Sequence, residues 1–204
     1  MVDNFEYLSG LFSELVDEND FYFIQIIQRK KDGVELPSYT SKKRVIKSFY
    51  FFNKEEFLKH ESYIKNLCEN NNARAYFWTN PRNMFDIACE SIKQFSELIK
   101  NGNTRYGASV YDKVVGSNIS SHNPKQWLVD LDSKDEEYKN KIISLIKECR
   151  GEEVRIKHII PTISGYHLIT SKFDLKQFSQ KLVINNLDYV NIHTNSPTLL
   201  YANI

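Results

Sequence analysis

The chain has 204 residues, of which 41% are apolar, enough for one domain with a packed core. Its 27 Lys and Arg against 26 Asp and Glu leave a formal charge of +1, which excludes a global polycation and confines any nucleic-acid surface to a local patch. Three cysteines, Cys68, Cys89 and Cys149, are too few and too scattered for a disulfide scaffold or a zinc ribbon, and point to a reducing, cytoplasmic setting.

The first 20 residues are acidic and amphipathic, without the basic and apolar regions of a signal peptide. A stripe of Phe5, Leu8, Leu11, Phe12 and Leu15 predicts a helix over 4–17. "FYFIQIIQRK" (21–30) reads as a buried strand, 31–44 as a polar loop and 44–52 as a second strand. Asn53 with Glu56 is a capping-box signal that opens a helix over 54–70. A third strand, 73–80, ends at Pro81. Residues 83–100 read as a helix with Met84, Ile87, Ile92, Phe95, Leu98 and Ile99 mostly on one face, stopped by Asn101-Gly102. A short helix and then a loop are expected over 104–120.

An acidic strand follows at 126–132, then a helix over 136–151 ending at Gly151. Strands at 153–162 and 166–173 are joined by a tight Ser164-Gly165 turn. A helix at 175–185 and short strands near 189–193 and 198–203 complete the chain. The expected class is α+β, a mixed sheet with flanking helices in a single domain over 1–204. No stretch reaches the ~18 apolar residues of a membrane span.

The stretch "WLVDLDSKD" (127–135) raises a physical question. Residues i and i+2 of a strand share a face, so Asp130 and Asp132 emerge side by side and repel. A divalent cation relieves that repulsion; the plainer alternative is an exposed strand edge or a salt bridge to Lys134 or Arg155. Hard carboxylate oxygens suit Mg²⁺ or Mn²⁺. Downstream, "SGYHLIT" puts Ser164, Gly165 and His167 at a turn entering a strand, where an imidazole and backbone N–H groups can meet a phosphate. Arg82, just past the strand "AYFWTNPR", can grip phosphate bidentately; a solvated loop residue is its plain alternative. The run Lys42, Lys43, Arg44 is a solvated face or a template-phosphate contact.

These motifs, in this order, resemble the archaeo-eukaryotic primase superfamily, particularly the small primase-polymerases of phages and plasmids. The resemblance covers roughly the last two-thirds of the chain, with "LVDLD" as its acid motif and "SGYHLIT" as its histidine motif. It implies an RRM-like core and a metal-dependent nucleotidyltransferase that works in DNA replication on nucleoside triphosphates and single-stranded nucleic acid. Asp130, Asp132 and a third acid, Asp188 in "NLDYVNIHTNSPTLLY", would hold Mg²⁺ or Mn²⁺ and carry catalysis; Ser164, Gly165, His167 and Arg82 would bind the nucleotide. The turn before His167 is shorter than the Gly-rich turn usual in the family, and Asn191 is an alternative occupant of the third acid position. With no helicase segment evident, a helicase or accessory replication protein would act in trans. Two alternatives stand beside this reading: a catalytically silent primase-fold protein that binds nucleic acid or a partner, and a metal-dependent nuclease using the same carboxylates.

Overall fold

The computed structural model describes residues 1–37, 42–117, 125–151 and 156–203. In chain order its elements are β1 (Val2–Asp3), α1 (Phe5–Ser9), β2 (Asp20–Arg29), β3 (Lys43–Phe51), α2 (Lys54–Lys59), α3 (Glu61–Asn70), β4 (Arg74–Trp78), β5 (Arg82–Asn83), α4 (Met84–Lys100), α5 (Val110–Gly116), β6 (Trp127–Leu131), α6 (Glu136–Lys147), β7 (Ile156–Pro161), β8 (Tyr166–Thr170), α7 (Leu175–Ile184), β9 (Asn191–His193) and β10 (Pro197–Ala202).

The strands form two sheets where one mixed sheet was expected, and every pairing among the described residues is antiparallel. Apolar alternation marks a strand and its buried face but names no partner. The first sheet has the order β1-β10-β4-β2-β3, with β5 pairing to β2. The second has the order β7-β8-β6-β9. Along the chain this second unit runs β6-α6-β7-β8-α7-β9, a βαββαβ unit whose first strand lies between its third and fourth.

The faces of β6 show why the sheets stack. Val129 and Leu131 pack with Ile142, Ile146, Phe178 and Leu182 of α6 and α7. Leu128 points the other way, into a cluster with Ile160 and Ile169 of the second sheet and Ile24, Phe77 and Leu200 of the first. That cluster also takes Phe5 and Leu8 of α1, Phe57 of α2 and Ile64 of α3, so one core binds both sheets. The outer face of the first sheet, through Phe21 and Phe23, is covered by Ile87 of α4 and by Val110 and Val114 of α5.

Several helices depart from the expected bounds. The first ends at Ser9 and continues as a 3₁₀ segment, Gly10–Glu14, because glycine weakens the α-helix there. The helix expected over 54–70 divides at His60, whose ring Nδ1 lies 2.9 Å from the Glu56 carbonyl. Asn53 does cap α2, accepting from the Glu56 N–H at 2.8 Å. In α4 the inward residues are Met84, Ile87 and Leu98, while Ile92 and Ile99 face solvent. No helix among the described residues is long and apolar enough to cross a membrane.

Candidate functional site

β6 is flanked by β8 on one side and β9 on the other, and the register sets three polar residues in a row. Asp130 pairs with His167 of β8 and with Asn191 of β9. Directly paired residues share a sheet face, so all three look toward the first sheet. His167 Nε2 lies 3.3 Å from Asp130 Oδ1, the two side chains being 14% and 29% exposed. The other ring nitrogen, Nδ1, lies 2.8 Å from Thr198 Oγ1 on β10. Asp130 is held below the ordinary carboxylate range, chiefly by the hydrogen bond from His167; burial opposes this, and the charges of His167 and His193 assist.

Carboxylate, imidazole and hydroxyl in sequence suggest a hydrolase triad, but the burial runs the wrong way. Thr198 is fully buried and cannot attack a substrate, whereas Asp130 sits at the open end. The hydroxyl therefore orients the ring, and Asp130 with the ring edge is the part a ligand would meet.

Asp132 lies one residue beyond the end of β6, exposed, and Ser164 Oγ donates to its Oδ1 at 3.0 Å. Gly165 makes this approach possible: a Cβ there would stand 1.9 Å from the Leu131 carbonyl oxygen and 2.6 Å from the Ser133 nitrogen. Its own N–H donates to Thr162 Oγ1 at 3.0 Å, so the turn uses internally the donor that a phosphate would need. Among the described residues neither aspartate forms an ion pair with Lys134; Arg155 lies outside them.

Asp188 and Arg82 are placed elsewhere. Asp188 is exposed in the connection from α7 to β9, between Leu187 and Val190, which pack on the α6–α7 side of the second sheet. There its charge helps raise the Tyr138 phenol of α6, after burial. Asn191, not Asp188, stands across from Asp130. Arg82 is wholly buried on β5. Its guanidinium donates to the carbonyls of Val115, Asn80 and Ser117 and to Asn195 Oδ1, and sits 5.5 Å from the Trp78 ring centroid. Burial pushes it down to about 10. Four of its five N–H groups thus serve the fold, which leaves no fork for a phosphate.

As a metal clamp the donor set falls short. Asp130 and Asp132 supply two carboxylates, Asn191 supplies an amide, and among the described residues no group of three His, Cys, Asp or Glu is placed to hold an ion.

A second feature lies where α4 and α5 leave the outer face of the first sheet open. Ile27, Tyr76 and Pro197 floor a cleft of about 610 Å³ rimmed by Arg29, Lys30, Lys31, Lys42 and Lys43. Arg29 donates to the Tyr76 hydroxyl at 2.5 Å. No acid lines the cleft among the described residues, and nearby Asp32 is paired with Arg74. The register explains the concentration of charge: Arg29 pairs with Lys43 at the mouth of the β2–β3 hairpin. Sequence reasoning marked Lys42 and Lys43 and missed Arg29, Lys30 and Lys31, although "QRKKDG" is legible as basic. It also missed Thr198, whose hydroxyl amid "TLLYA" signals a buried partner.

Comparison of the chain with protein-family models, curated proteins and solved structures found no match.

Proposed function

We propose that the chain is a nucleotide- and nucleic-acid-binding protein built on the primase-polymerase plan, with the strand-synthesis step silent. The βαββαβ unit, first strand central, has the strand order of an RRM-like core. Its acid motif lies on and just past the first strand and its histidine on the third, an arrangement that supports this reading. The observation that carries the silent reading is Asn191 opposite Asp130, where a third carboxylate would complete a metal clamp. Two-metal transfer needs enough negative ligands to hold both ions against a triphosphate, and Asp130 and Asp132 alone supply too few. His167 and Ser164 would turn their donors from Asp130 and Asp132 to meet a phosphate, and the basic cleft fits the backbone of a single strand, with Tyr76 beside it for a base. A helicase or other replication protein in trans would use such a protein as a binding module.

A second reading, nucleotidyl transfer with Mg²⁺ or Mn²⁺, is favoured by the Asp130–His167 and Ser164–Asp132 contacts, which keep the first two acids in order. One experiment separates them. Purified protein is given a single-stranded template, nucleoside triphosphates and either metal, and binding and synthesis are followed together. Binding without synthesis supports the silent reading. Synthesis that stops in Asp130→Asn establishes transfer. Neither binding nor synthesis removes both.

A further inference from the structure

The cations of the outer cleft are gathered at one of its ends. Arg29 and Lys43 are direct partners across the β2–β3 ladder, and one step beyond them the Lys30 N–H donates to the Lys42 carbonyl at 3.0 Å. Lys31 follows in the 3₁₀ turn Lys30–Asp32. Like charges placed directly opposite repel, and no acid lines the cleft among the described residues. The floor runs the other way. Tyr76 and Trp78 share a face of β4, and Trp78 already packs on the cluster of Phe23, Ile87 and Val110 beneath α4 and α5. Pro197, the partner of Trp78, marks this end, which no cation lines among the described residues.

We propose that the cleft reads the end of a strand: the cations at the hairpin mouth take a terminal phosphate, and Tyr76 takes the base next to it. The inference rests on the reading of the cleft as a single-strand site and narrows it. An internal stretch carries one charge per phosphate, evenly spaced, and would call for cations along the whole floor. A terminal phosphate is a monoester, with a charge of about −2 above its second pKa of about 6, held at one point. That concentrated charge answers the crowding of Arg29, Lys30, Lys31, Lys42 and Lys43 and relieves their repulsion. Arg29 joins the two parts of the site. Its guanidinium donates to the Tyr76 hydroxyl and lies 6.0 Å from the ring centroid, so phosphate and base would be gripped side by side. Beyond Trp78 the helices shut the floor, so a strand continuing in both directions along β4 has no path.

A 5′-phosphate and a 3′-phosphate share this chemistry, and the test separates them. Fluorescence anisotropy on the full chain, at about pH 8 and fixed salt, compares internally labelled oligonucleotides of one sequence that bear a 5′-phosphate, a 3′-phosphate or hydroxyls at both ends. A hydroxyl-ended strand two nucleotides longer matches the charge. At least one phosphate-ended strand is expected to bind about tenfold tighter or more than both hydroxyl-ended strands, the gain of a charge-assisted contact. Lys42→Gln with Lys43→Gln should erase that preference, and Lys42→Arg with Lys43→Arg should keep it, with circular dichroism showing both variants folded. Equal binding by every end, a preference matched by the longer strand, or one that survives the glutamine pair would each overturn the inference while the single-strand reading stands. Binding by no strand would remove both.

Discussion

Asn191 stands directly across the β6–β9 ladder from Asp130, and the amide is one substitution away from a carboxylate. Asn191→Asp is expected to strengthen Mn²⁺ binding by tenfold or more, a factor worth about 1.4 kcal/mol. The gain needs both charges, so it should vanish when Asp130→Asn is added. Without metal the same substitution sets like charges side by side and should lower stability. Calorimetry with Mn²⁺ on the three proteins checks it; an Asn191→Asp variant that binds no better than wild type would show that the position is not beside the ion.

His167 joins the two sheets through Asp130 and Thr198. His167→Ala should cost about 1–3 kcal/mol, because it strands the buried Thr198 hydroxyl and removes the donor to Asp130. Thr198→Val in the same background restores an apolar fit around the hydroxyl and should recover part of that loss. Urea unfolding gives the stabilities, and nucleoside triphosphate titration should show that both His167 variants bind weakly. A double variant with restored nucleotide affinity would mean that the ring only packs.

The depressed Asp130 fixes a direction for acid stability. Its folded pKa lies below its unfolded value, so the stability it contributes is fully present above the ordinary aspartate pKa of about 3.9 and is lost as pH falls through the folded value. Glu14, lowered chiefly by its hydrogen bond with His158, acts in the same sense on the other edge of the core. Unfolding free energy measured from pH 6 down to pH 2 should fall less steeply in Asp130→Asn, and less steeply still with Glu14→Gln added. Equal slopes in all three proteins would place neither carboxylate in a folded-state contact.

Much of this arrangement was written in local pattern. Strand β2, read as 21–30, spans Asp20–Arg29, and the Ser164-Gly165 turn joins β7 to β8 as its residues demand. Asp130 and His167 were identified from neighbours along the chain, yet their contact depends on register between β6 and β8, which no single strand encodes. Asp188 illustrates the limit: only two residues separate it from Asn191, yet the chain's course around the end of α7 sends it to the helix side of the sheet. Arg82 is the reverse case. After a proline it reads as a surface cation, but the short strand β5 pairs with β2 and buries it among carbonyls supplied 33 and 35 residues later. In α4 the apolar residues were read as mostly one face, and only the packed structure tells that Met84, Ile87 and Leu98 meet the sheet while Ile92 and Ile99 do not.

Gly165→Ala should disrupt the site from its backbone. The added carbon falls 1.9 Å from the Leu131 carbonyl and within 2.7 Å of both Ser133 backbone atoms. The turn must move off β6, carrying Ser164 away from Asp132 at a cost of about 3 kcal/mol. Ser164→Ala removes the hydroxyl without moving the turn and should cost under about 1 kcal/mol, as an exposed hydrogen bond does. Urea midpoints for the two variants should therefore differ widely. Similar midpoints would mean that the turn yields freely and that the glycine is not needed for the close approach.

The basic cleft makes the last prediction, on salt. A strand lying across Arg29, Lys30, Lys31, Lys42 and Lys43 would neutralise several phosphates, and each contact releases a counterion. Single-stranded oligonucleotide binding, followed by fluorescence anisotropy, should therefore weaken as salt rises, with a logarithmic slope of about −0.7 for each phosphate contacted. Lys30→Gln with Lys31→Gln removes two exposed cations whose side chains hold no other element among the described residues, so the fold should persist while the slope falls by about 1.4. Tyr76→Leu keeps an apolar floor and removes the ring that Arg29 braces; it should lower affinity at every salt concentration without changing the slope. Arg82→Lys is the contrast: it should destabilise the protein by breaking the carbonyl network and leave the slope unchanged, because its guanidinium is turned inward. If the lysine pair leaves the slope intact and Arg82→Lys alters it, the strand does not run through this cleft, and the phosphates must be sought near β5.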